Sequence, residues 1–452
     1  MNHAGVPRGY WAKPDRRPAA ASLSNGTGKI GLWLAMASVF LTPCNILRVD
    51  TFYFTASDAF ALAAVFAMVL GKSLSPAPLA AGTLLWNTGV ALLCGMLLLS
   101  SLINGDPQRG FIISAQYLYA YFLLAFMLAS RPWSETVLLT KALICSIGLM
   151  CIHGIVVIDI LKQQHTYLTS GNGRFIGWVE RENECATLIA LAVPLLLWLV
   201  ASGGARPRWA WIGVPLFAYG IVLTGSNTGL IGLVVALTVF VAMTGSWRRI
   251  ILLAVSSLGA FFVVVTWGRD FLPPIFQRRV LNALQSGDID EAGTFADRMR
   301  LIREAITKAD SSSLLGIGAD QYRHFSELHA PVHNVYLLIW VEAGLLGLIG
   351  FLLMLVAGII IGMLAARLRQ GRISAICTLT TVLLFAALAN ALPHLYSRFF
   401  VVPLLLGIAP SVAILRGGAS ARSGRGLPSE RPLHAWPATA SSTRTKLGVH
   451  SG

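Results

Sequence analysis

Residues 334–365 read NVYLLIWVEAGLLGLIGFLLMLVAGIIIGMLA, a long apolar run in which Glu342 is the one charged residue. A hydrocarbon layer of about 30 Å needs roughly 20 apolar residues in a helix. This run is therefore long enough to cross the layer with a tilt or to extend past it. Further apolar runs lie along the rest of the chain, and none alternates like a membrane β-strand. Helices are expected to satisfy the backbone polar groups inside the membrane.

The composition agrees with a chain surrounded mostly by lipid. Hydrophobic residues make up 55% of the 452 residues and charged residues 12%, against about 25% charged residues in a soluble domain. The mean hydropathy is +0.68. The formal net charge of +15 would suit nucleic acid, but the basic residues form short clusters between apolar runs, which argues against that partner. The six cysteines follow neither a metal-binding nor a disulfide spacing.

The sequence predicts an all-α polytopic membrane protein with about twelve transmembrane helices. Residues 30–268 hold the first nine helices, 269–333 form one long loop with short helices, and 334–415 hold the last three. The predicted spans lie near 30–47, 52–70, 84–103, 111–130, 137–161, 184–202, 209–226, 228–244, 249–268, 334–365, 374–392 and 397–415. Residues 1–29 and 416–452 are rich in Pro, Gly, Ser, Ala and Arg, and both segments are predicted to be disordered.

The basic residues predict the orientation of the chain. Most Lys and Arg residues of the short connections fall on the side that also holds both termini. Since short cytoplasmic connections carry the excess of positive charge, both termini are expected in the cytoplasm and the loop 269–333 outside it. The predicted location is the inner membrane of a bacterium.

Two turns on the outer side carry polar residues that could bind a ligand. The connection 162–183 places Arg174 beside glycines, a combination suited to phosphate because the guanidinium forms paired hydrogen bonds and glycine lets the backbone approach. A solvated turn is the alternative. A second turn holds Ser226 and Asn227, for which a structural role is the favoured interpretation.

The long loop is predicted to contain an amphipathic helix near 295–309. Thr294 begins a capping pattern, and apolar residues follow it at helical spacing. Arg298 lies near the start of this helix, where its charge and the helix dipole would both favour an anion. The alternative is an ordinary solvated helix face.

Two further residues lie at the outer ends of predicted spans. His333 comes directly before the run 334–365, where a neutral imidazole could act as a general base near neutral pH. A single histidine is more often structural than catalytic. Arg398, at the start of the last span, adds a cation at the membrane boundary, where ionisable groups are functional candidates.

Three segments resemble bacterial O-antigen ligases. HNVYLLIWVEAGLLG (333–347) fits that family's pattern H-[NSQ]-x9-G-x-x-[GTY]. The stretch 297–322 is similar to R-x3-W-x2-A followed by P-L-L-G-V-G-x-G-x-[FY], and 173–186 to R-x2-G followed by N-x-x-A. The residues that carry this resemblance are His333, Asn334, Gly344 and Gly347, then Arg298, Gly316 and Gly318, and finally Arg174, Gly177, Asn183 and Ala186.

The chain departs from the family pattern at two places. Ile302 stands where the family usually has Trp, and Ser226-Asn227 stands where it often has Ser-Arg. If that arginine binds phosphate in the family, another cation must replace it here or the acceptor must differ. Arg398 is one possible replacement.

The resemblance implies a glycan transferase of the O-antigen ligase and polysaccharide polymerase superfamily, with a GT-C-like fold. Such enzymes move a saccharide from undecaprenyl diphosphate to an acceptor sugar hydroxyl at the periplasmic face. They invert the anomeric centre and need no metal or other cofactor. By this resemblance His333 would be the catalytic base, and Arg174, Arg298 and Arg398 would bind the diphosphate. The supporting residues would be Asn334, Tyr336, Gly316, Gly318, Ser226 and Asn227.

Several functions stay open at the level of sequence. A ligase would use lipid A core as acceptor, whereas a repeat-unit polymerase would use the growing glycan. A protein O-glycosylating enzyme is a third version. A transporter of lipid-linked glycan belongs to another class, which typically has internal repeats and ionisable residues deep in several spans. A purely structural membrane subunit would leave the grouping of His333 with the arginines unexplained.

Overall fold

The computed structural model describes residues 26–45, 48–49, 54–163, 166–281, 295–311, 314–394 and 396–423. Over these residues the chain is almost entirely helical, and one short antiparallel pair of strands joins Arg48–Val49 to Phe54–Thr55. The long helices are α1 (Gly26–Phe40), α2 (Ala56–Leu70), α3 (Thr83–Asn104), α4 (Pro107–Leu128), α5 (Trp133–Ile160), α6 (Glu182–Ala201), α7 (Arg208–Thr224), α8 (Asn227–Met243), α9 (Trp247–Phe271), α10 (Phe295–Ser311), α11 (Val335–Ala366), α12 (Arg372–Leu388) and α13 (Arg398–Ser423).

The helices make the chain a multi-pass membrane protein. Among the described residues, seven helices (α3, α4, α5, α6, α9, α11 and α13) are long and apolar enough to cross a membrane, and α1, α2, α7, α8 and α12 are shorter apolar helices. Each predicted span overlaps one of these helices. The number of twelve spans and the GT-C-like fold stay predictions.

The two ends of the predicted bundle differ slightly from the structure. Helix α1 begins at Gly26 and α13 continues to Ser423, so the helices overlap the segments that were predicted to be disordered. Helical hydrogen bonding continues past the apolar residues because it does not depend on side-chain hydropathy. The remaining predicted disorder, in residues 1–25 and 424–452, lies outside the described residues.

Contacts between connections define two opposite ends of the helix bundle. At one end Asn45 donates to Glu180, Arg109 pairs with Asp320, and the Val335 amide donates to the Ala389 carbonyl. At the other end Arg416 donates to the Ser130 carbonyl and to Ser75, and Arg372 donates to the Thr244 carbonyl. The first end gathers the connections that the charge pattern assigns to the outside, and it carries the candidate site.

The long apolar run 334–365 forms a helix that is interrupted in its interior rather than simply tilted. Helix α11 starts at the N-cap Asn334, whose side chain accepts a hydrogen bond from the Leu337 amide at 3.1 Å. Inside the helix Gly344 has φ +73° and ψ 179°. This conformation is open to glycine but costly for residues with a Cβ. The break explains why a glycine stands at this position of the His-Asn-x9-Gly pattern.

The break in α11 receives the segment 314–318. The amides of Ile317 and Gly318 donate to the carbonyls of Val341 and Glu342 at 2.9 and 3.0 Å. These backbone bonds satisfy carbonyl groups near the interruption of the helix. Gly316 also lies in this segment with φ +73°, and a Cβ there would stand 2.4 Å from the Glu342 carbonyl oxygen. The loop is therefore anchored directly to the membrane helix that follows His333.

The loop helix predicted near 295–309 is confirmed as α10, although Thr294 of its capping pattern lies outside the described residues. Its buried face packs Leu301, Ala305 and Ala309 against a small apolar cluster with Val332 and Val341. The short helical segments that follow α9 bury Phe276 and Leu281 in a separate cluster. These two clusters hold Arg298 and Arg279 over the end of the bundle.

Candidate functional site

His333 lies at the junction between the long loop and α11, directly before the N-cap Asn334. Burial, followed by the charges of Arg298 and Arg181, lowers the pKa of the imidazole from 6.5 to about 4, although a hydrogen bond accepted by the Pro331 carbonyl acts the other way. Among the described residues, Nδ1 is buried and has no hydrogen-bond partner. The side chain is therefore neutral near pH 7 and can accept a proton.

Arg174 is buried between three elements at the same end of the bundle, with 5% of its surface exposed. Its Nε donates to the Thr224 carbonyl at 2.7 Å and one terminal nitrogen donates to Asn183 Oδ1 at 3.3 Å. The other terminal nitrogen lies 3.6 Å from Glu182 Oε1. Burial lowers the pKa of Arg174 to about 10, with Glu182 opposing this shift and Arg279 and Arg298 adding to it. The guanidinium remains charged near pH 7.

The turn that contains Ser226 is joined to Arg174 through Asn183. The Ser226 hydroxyl donates to Asn183 Oδ1 at 2.7 Å and accepts from the Gly229 amide at 3.2 Å, which caps the start of α8. Asn227 is the first residue of that helix. Ser226 therefore has a structural role, because its hydroxyl caps α8. The same hydroxyl also orients Asn183, which is a hydrogen-bond partner of Arg174.

Arg174 and Arg279 lie beside this turn, and Arg298 is close enough to interact electrostatically with both. A Cβ built on Gly225 would lie 3.8 Å from Arg174 Nε and 3.7 Å from the Cδ of Arg279. Arg279 also acts on Arg298, whose pKa is lowered by burial and then by this neighbouring charge. We call Arg174, Arg279 and Arg298 the arginine group. Like charges at close range repel each other, so the arginine group favours the binding of an anion.

The contacts of Arg398 are with Asp58, Asn45 and Cys44, and not with members of the arginine group. It is buried and pairs with Asp58 at 3.4 Å, and its Nη2 atom donates to Asn45 Oδ1 at 2.8 Å and to the Cys44 carbonyl at 3.3 Å. An ion pair of this kind holds the start of α13 against the start of α2. Arg279, and not Arg398, is the arginine that the structure places beside Ser226-Asn227.

The remaining predicted residues have mainly positioning contacts. The Tyr336 hydroxyl donates to the Ala386 carbonyl at 2.8 Å, and the side-chain Nδ2 of Asn334 donates to Asn390 Oδ1 at 3.4 Å. Gly318 belongs to the segment docked in the break of α11, where its amide donates to the Glu342 carbonyl. These contacts fix the backbone on both sides of His333.

The structure adds two residues near His333 that the sequence did not single out. Arg181 acts electrostatically on His333. His394 lies in the connection between α12 and α13; burial lowers its pKa to about 4, and the charge of His333 adds a smaller decrease. Arg181 lies seven residues after Arg174, within the segment that resembles the family, so its charge was a usable signal. His394 has no comparable signal, because its connection contains no recognisable motif.

Over the described part of the chain, no group of three or more His, Cys, Asp or Glu side chains is arranged to hold a metal ion. The residues at this end of the bundle instead offer guanidinium groups and imidazoles. Such groups bind anions and transfer protons. The metal-independent chemistry expected from the resemblance stays a prediction.

Residues 212–352 match the family described as O-antigen ligase. The matched segment contains Ser226, Arg279, Arg298, His333 and the break at Gly344, whereas Arg174 and Arg398 lie outside it. No curated protein matches the chain. The match indicates a glycosyltransferase-like ligase or polymerase of cell-surface polysaccharide biosynthesis. Together with the docked loop and the break before which His333 stands, this match supports the similarity of the chain to the O-antigen ligase superfamily.

Proposed function

We propose that this protein transfers a saccharide from undecaprenyl diphosphate to an acceptor sugar hydroxyl at the periplasmic face of the bacterial inner membrane. The observation that carries the proposal is that buried His333, whose Nδ1 has no hydrogen-bond partner among the described residues, interacts electrostatically with Arg298 of the arginine group. A base and an anion site at close range are the two requirements of this reaction. The family described as O-antigen ligase supports the same class of chemistry.

The arginine group would hold the diphosphate of the donor. Guanidinium groups form charge-assisted hydrogen bonds with phosphate oxygens. They would also stabilise the negative charge that develops on the diphosphate as its bond to the sugar breaks. Among the described residues, Glu182 is the acid that opposes the positive charge on Arg174, and no acid acts comparably on Arg298. Arg174 and Arg298 together thus carry more positive charge than Glu182 offsets.

His333 would take the proton of the acceptor hydroxyl. The acceptor oxygen forms a bond to the anomeric carbon while the bond from that carbon to the diphosphate oxygen breaks, and the electron pair leaves with the lipid diphosphate. A single displacement of this kind inverts the anomeric centre. The proton on His333 then returns to solvent or to the released diphosphate, which restores the neutral imidazole.

Donor binding would also make His333 a stronger base. In the free protein the charge of Arg298 opposes protonation of the imidazole. A bound diphosphate would cancel part of this positive field, so the pKa of His333 would rise. The base would then reach its effective strength only when the leaving group is in place.

Ligase and polymerase differ in the acceptor, and the ligase interpretation is our first choice. The single long outer loop and the His-Asn-x9-Gly pattern favour it, as does the description of the matched family. A repeat-unit polymerase with the same donor is the second candidate. A transporter of lipid-linked glycan has less support because the neutral base and the arginine group would then have no chemical role.

A reconstituted transfer reaction tests the proposal. Purified protein receives an undecaprenyl-diphosphate-linked oligosaccharide, with lipid A core or a second lipid-linked glycan as acceptor, and the products are separated by size. Glycan on lipid A core identifies a ligase, whereas a ladder of lengthening lipid-linked chains identifies a polymerase. If folded protein and intact donor form neither product, the transferase proposal is wrong.

A further inference from the structure

A polar cavity of about 600 Å³ lies at the end of the bundle that carries His333, and its lining includes none of the arginine group. It lies between the first half of α4, the end of the long loop, and the connections that join α1 to α2, α5 to α6, and α12 to α13. Its polar lining includes Arg109, Gln116, Asp320, Arg323, His394 and Arg398. We call this space the polar cavity.

The polar cavity reaches the immediate surroundings of His333. Pro331, two residues before His333, lines it, as does Arg181. The charge of Arg181 lowers the pKa of His333, and the charge of His333 lowers the pKa of His394. A ligand in the polar cavity would therefore approach the imidazole from the wall formed by Pro331, Arg181 and His394.

Most of the arginines that line the polar cavity form ion pairs with carboxylates of its own lining. Asp320 pairs with Arg109 at 2.7 Å and also with Arg323. Arg398 pairs with Asp58, and Arg48 pairs with Glu180. A diphosphate would meet these carboxylates at close range and be repelled by them. The polar cavity is thus a poor site for the anionic part of the donor.

The same lining has hydrogen-bonding capacity that the protein does not use. Within the described ranges, the Nε atoms of Arg323 and Arg398 and the Oε1 atom of Gln116 are buried without a partner. Two of these atoms are donors and one is an acceptor. Buried polar atoms normally have a hydrogen-bond partner. The hydroxyl groups of a ligand could bind both the unused donors and the unused acceptor, because a hydroxyl both donates and accepts.

Aromatic rings lie in the same wall. Tyr396 lines the polar cavity, with its ring 5.3 Å from that of His394. Phe111 also lines it and is 68% exposed. Aromatic faces next to paired carboxylates and guanidinium groups suit the apolar and hydroxyl faces of a sugar ring.

We propose that the polar cavity binds the acceptor glycan and directs its reactive hydroxyl to His333. This inference rests on the proposed function. It assigns the donor diphosphate and the acceptor sugar to two distinct sites that share His333 between them. Gln116 and Arg323 become specificity residues for the acceptor, and neither takes part in binding the donor.

The test separates acceptor binding from donor binding in the full-length protein in nanodiscs. Arg323→Gln removes one unused donor, and Asp320 keeps Arg109 as its partner at 2.7 Å. Gln116→Leu removes the unused acceptor at similar volume. Arg300→Gln is the matched control, since Arg300 is a half-exposed loop arginine whose partners are Glu304 and Glu327 and which does not line the polar cavity.

The probes are an undecaprenyl-diphosphate-linked oligosaccharide as donor and lipid A core as acceptor. Each cavity variant is expected to raise the KM for the acceptor about tenfold, the loss of roughly one hydrogen bond, while the Kd for the donor changes less than about twofold. Arg298→Gln is expected to give the opposite pattern. An unchanged acceptor KM in both cavity variants, or a weakened donor Kd, would overturn the inference.

Failure of the proposed function is distinguished by direct binding of core oligosaccharide released from lipid A. If wild-type protein transfers no glycan yet binds this oligosaccharide, and Arg323→Gln weakens the binding, the polar cavity is a glycan site of a protein with another function. If transfer proceeds and the cavity variants keep wild-type acceptor KM, the proposed function stands and the cavity assignment is wrong. Thermal unfolding of each variant confirms that the folded protein is compared.

Discussion

At the scale of single residues, His333 combines a neutral imidazole with a neighbouring guanidinium. Burial and the charge of Arg298 both disfavour the protonated form, so the group is available as an acceptor of protons but is a weak base in the free protein. Weak basicity suits a displacement in which the hydroxyl proton is lost late, after the bond to the leaving group has begun to break. The bound donor diphosphate would raise the pKa of His333 at the stage when the acceptor proton is transferred.

Replacement of His333 tests its role as a base. We expect His333→Ala to lower the transfer rate by about 10²–10⁴-fold, the usual contribution of a general base, with unchanged protein level and membrane insertion. His333→Gln, which keeps a polar side chain without a titrating group, should be equally impaired. Wild-type turnover in either variant would show that His333 is structural.

The pH dependence tests the coupling between donor and base. The imidazole must be neutral to act, so activity is lost as the pH falls through its pKa. The acidic limb of kcat/KM reports the free enzyme and is expected near pH 4, the lowered value of His333. The limb of kcat reports the loaded enzyme and should lie at higher pH. Coincident limbs would show that the diphosphate does not lie near His333.

Two arginine variants distinguish the arginine group from the Asp58–Arg398 pair. Arg279→Gln is expected to weaken donor binding by about tenfold or more, since a charge-assisted hydrogen bond contributes about 1.5–3 kcal/mol. Arg398→Gln would leave buried Asp58 without its cation and should reduce folding stability by about 3–5 kcal/mol. The double variant Asp58→Asn with Arg398→Gln should recover much of that stability. If Arg398→Gln stays folded and loses as much donor affinity as Arg279→Gln, Arg398 belongs to the diphosphate site.

Arg174 should not tolerate lysine. Its guanidinium serves the Thr224 carbonyl, Asn183 and Glu182 at once, and one ammonium group cannot reproduce that planar geometry. We expect Arg174→Lys to lower donor affinity by at least about tenfold, measured as the donor Kd in nanodiscs. Arg303→Lys, at an exposed position of α10, is the control. Normal donor affinity in Arg174→Lys would make this connection a structural turn.

At the scale of elements, the break in α11 joins the loop to the membrane helix. The sequence showed a glycine at the required spacing from His333, but the apolar run around it carries no sign of an interruption. The interruption depends on the segment 314–318, whose amides satisfy the Val341 and Glu342 carbonyls. That pairing of distant backbone groups has no periodic signature in the chain, so sequence reasoning predicted one long span.

Substitution at Gly344 tests this element. A Cβ there would lie 2.1 Å from the Leu314 carbonyl oxygen, and φ is +73°. We expect Gly344→Ala to destabilise the protein by at least about 1–2 kcal/mol and to release the loop to limited proteolysis. Gly95→Ala is the control, because no atom lies within 4 Å of the added Cβ and the residue is in regular helix α3. Similar melting curves for both variants would contradict the account of the break.

At the scale of the whole molecule, the charge pattern and the contacts describe the same two ends. The helices and their order could be predicted because long apolar runs suffice for that. The three segments that resemble the family do approach one another around His333. The sequence could not show that Arg398 pairs with Asp58 or that Arg279 lies near Arg174, because both contacts link residues far apart in the chain and the sequence does not tell a buried arginine from an exposed one.

The orientation of the two ends can be measured by labelling cysteines introduced into a cysteine-free variant. Ser170→Cys lies at the end that carries His333, and Arg369→Cys lies at the opposite end, after α11. A membrane-impermeant thiol reagent that reaches the periplasm of intact cells is expected to label Ser170→Cys, because the excess of Lys and Arg should stay in the cytoplasm. Arg369→Cys should be labelled only after the inner membrane is opened. The reverse pattern would place His333 and the arginine group on the cytoplasmic side, where a periplasmic transfer reaction could not occur. Labelling of both positions in intact cells would mean that the two connections do not lie on opposite sides of the membrane, contrary to the contacts between the connections.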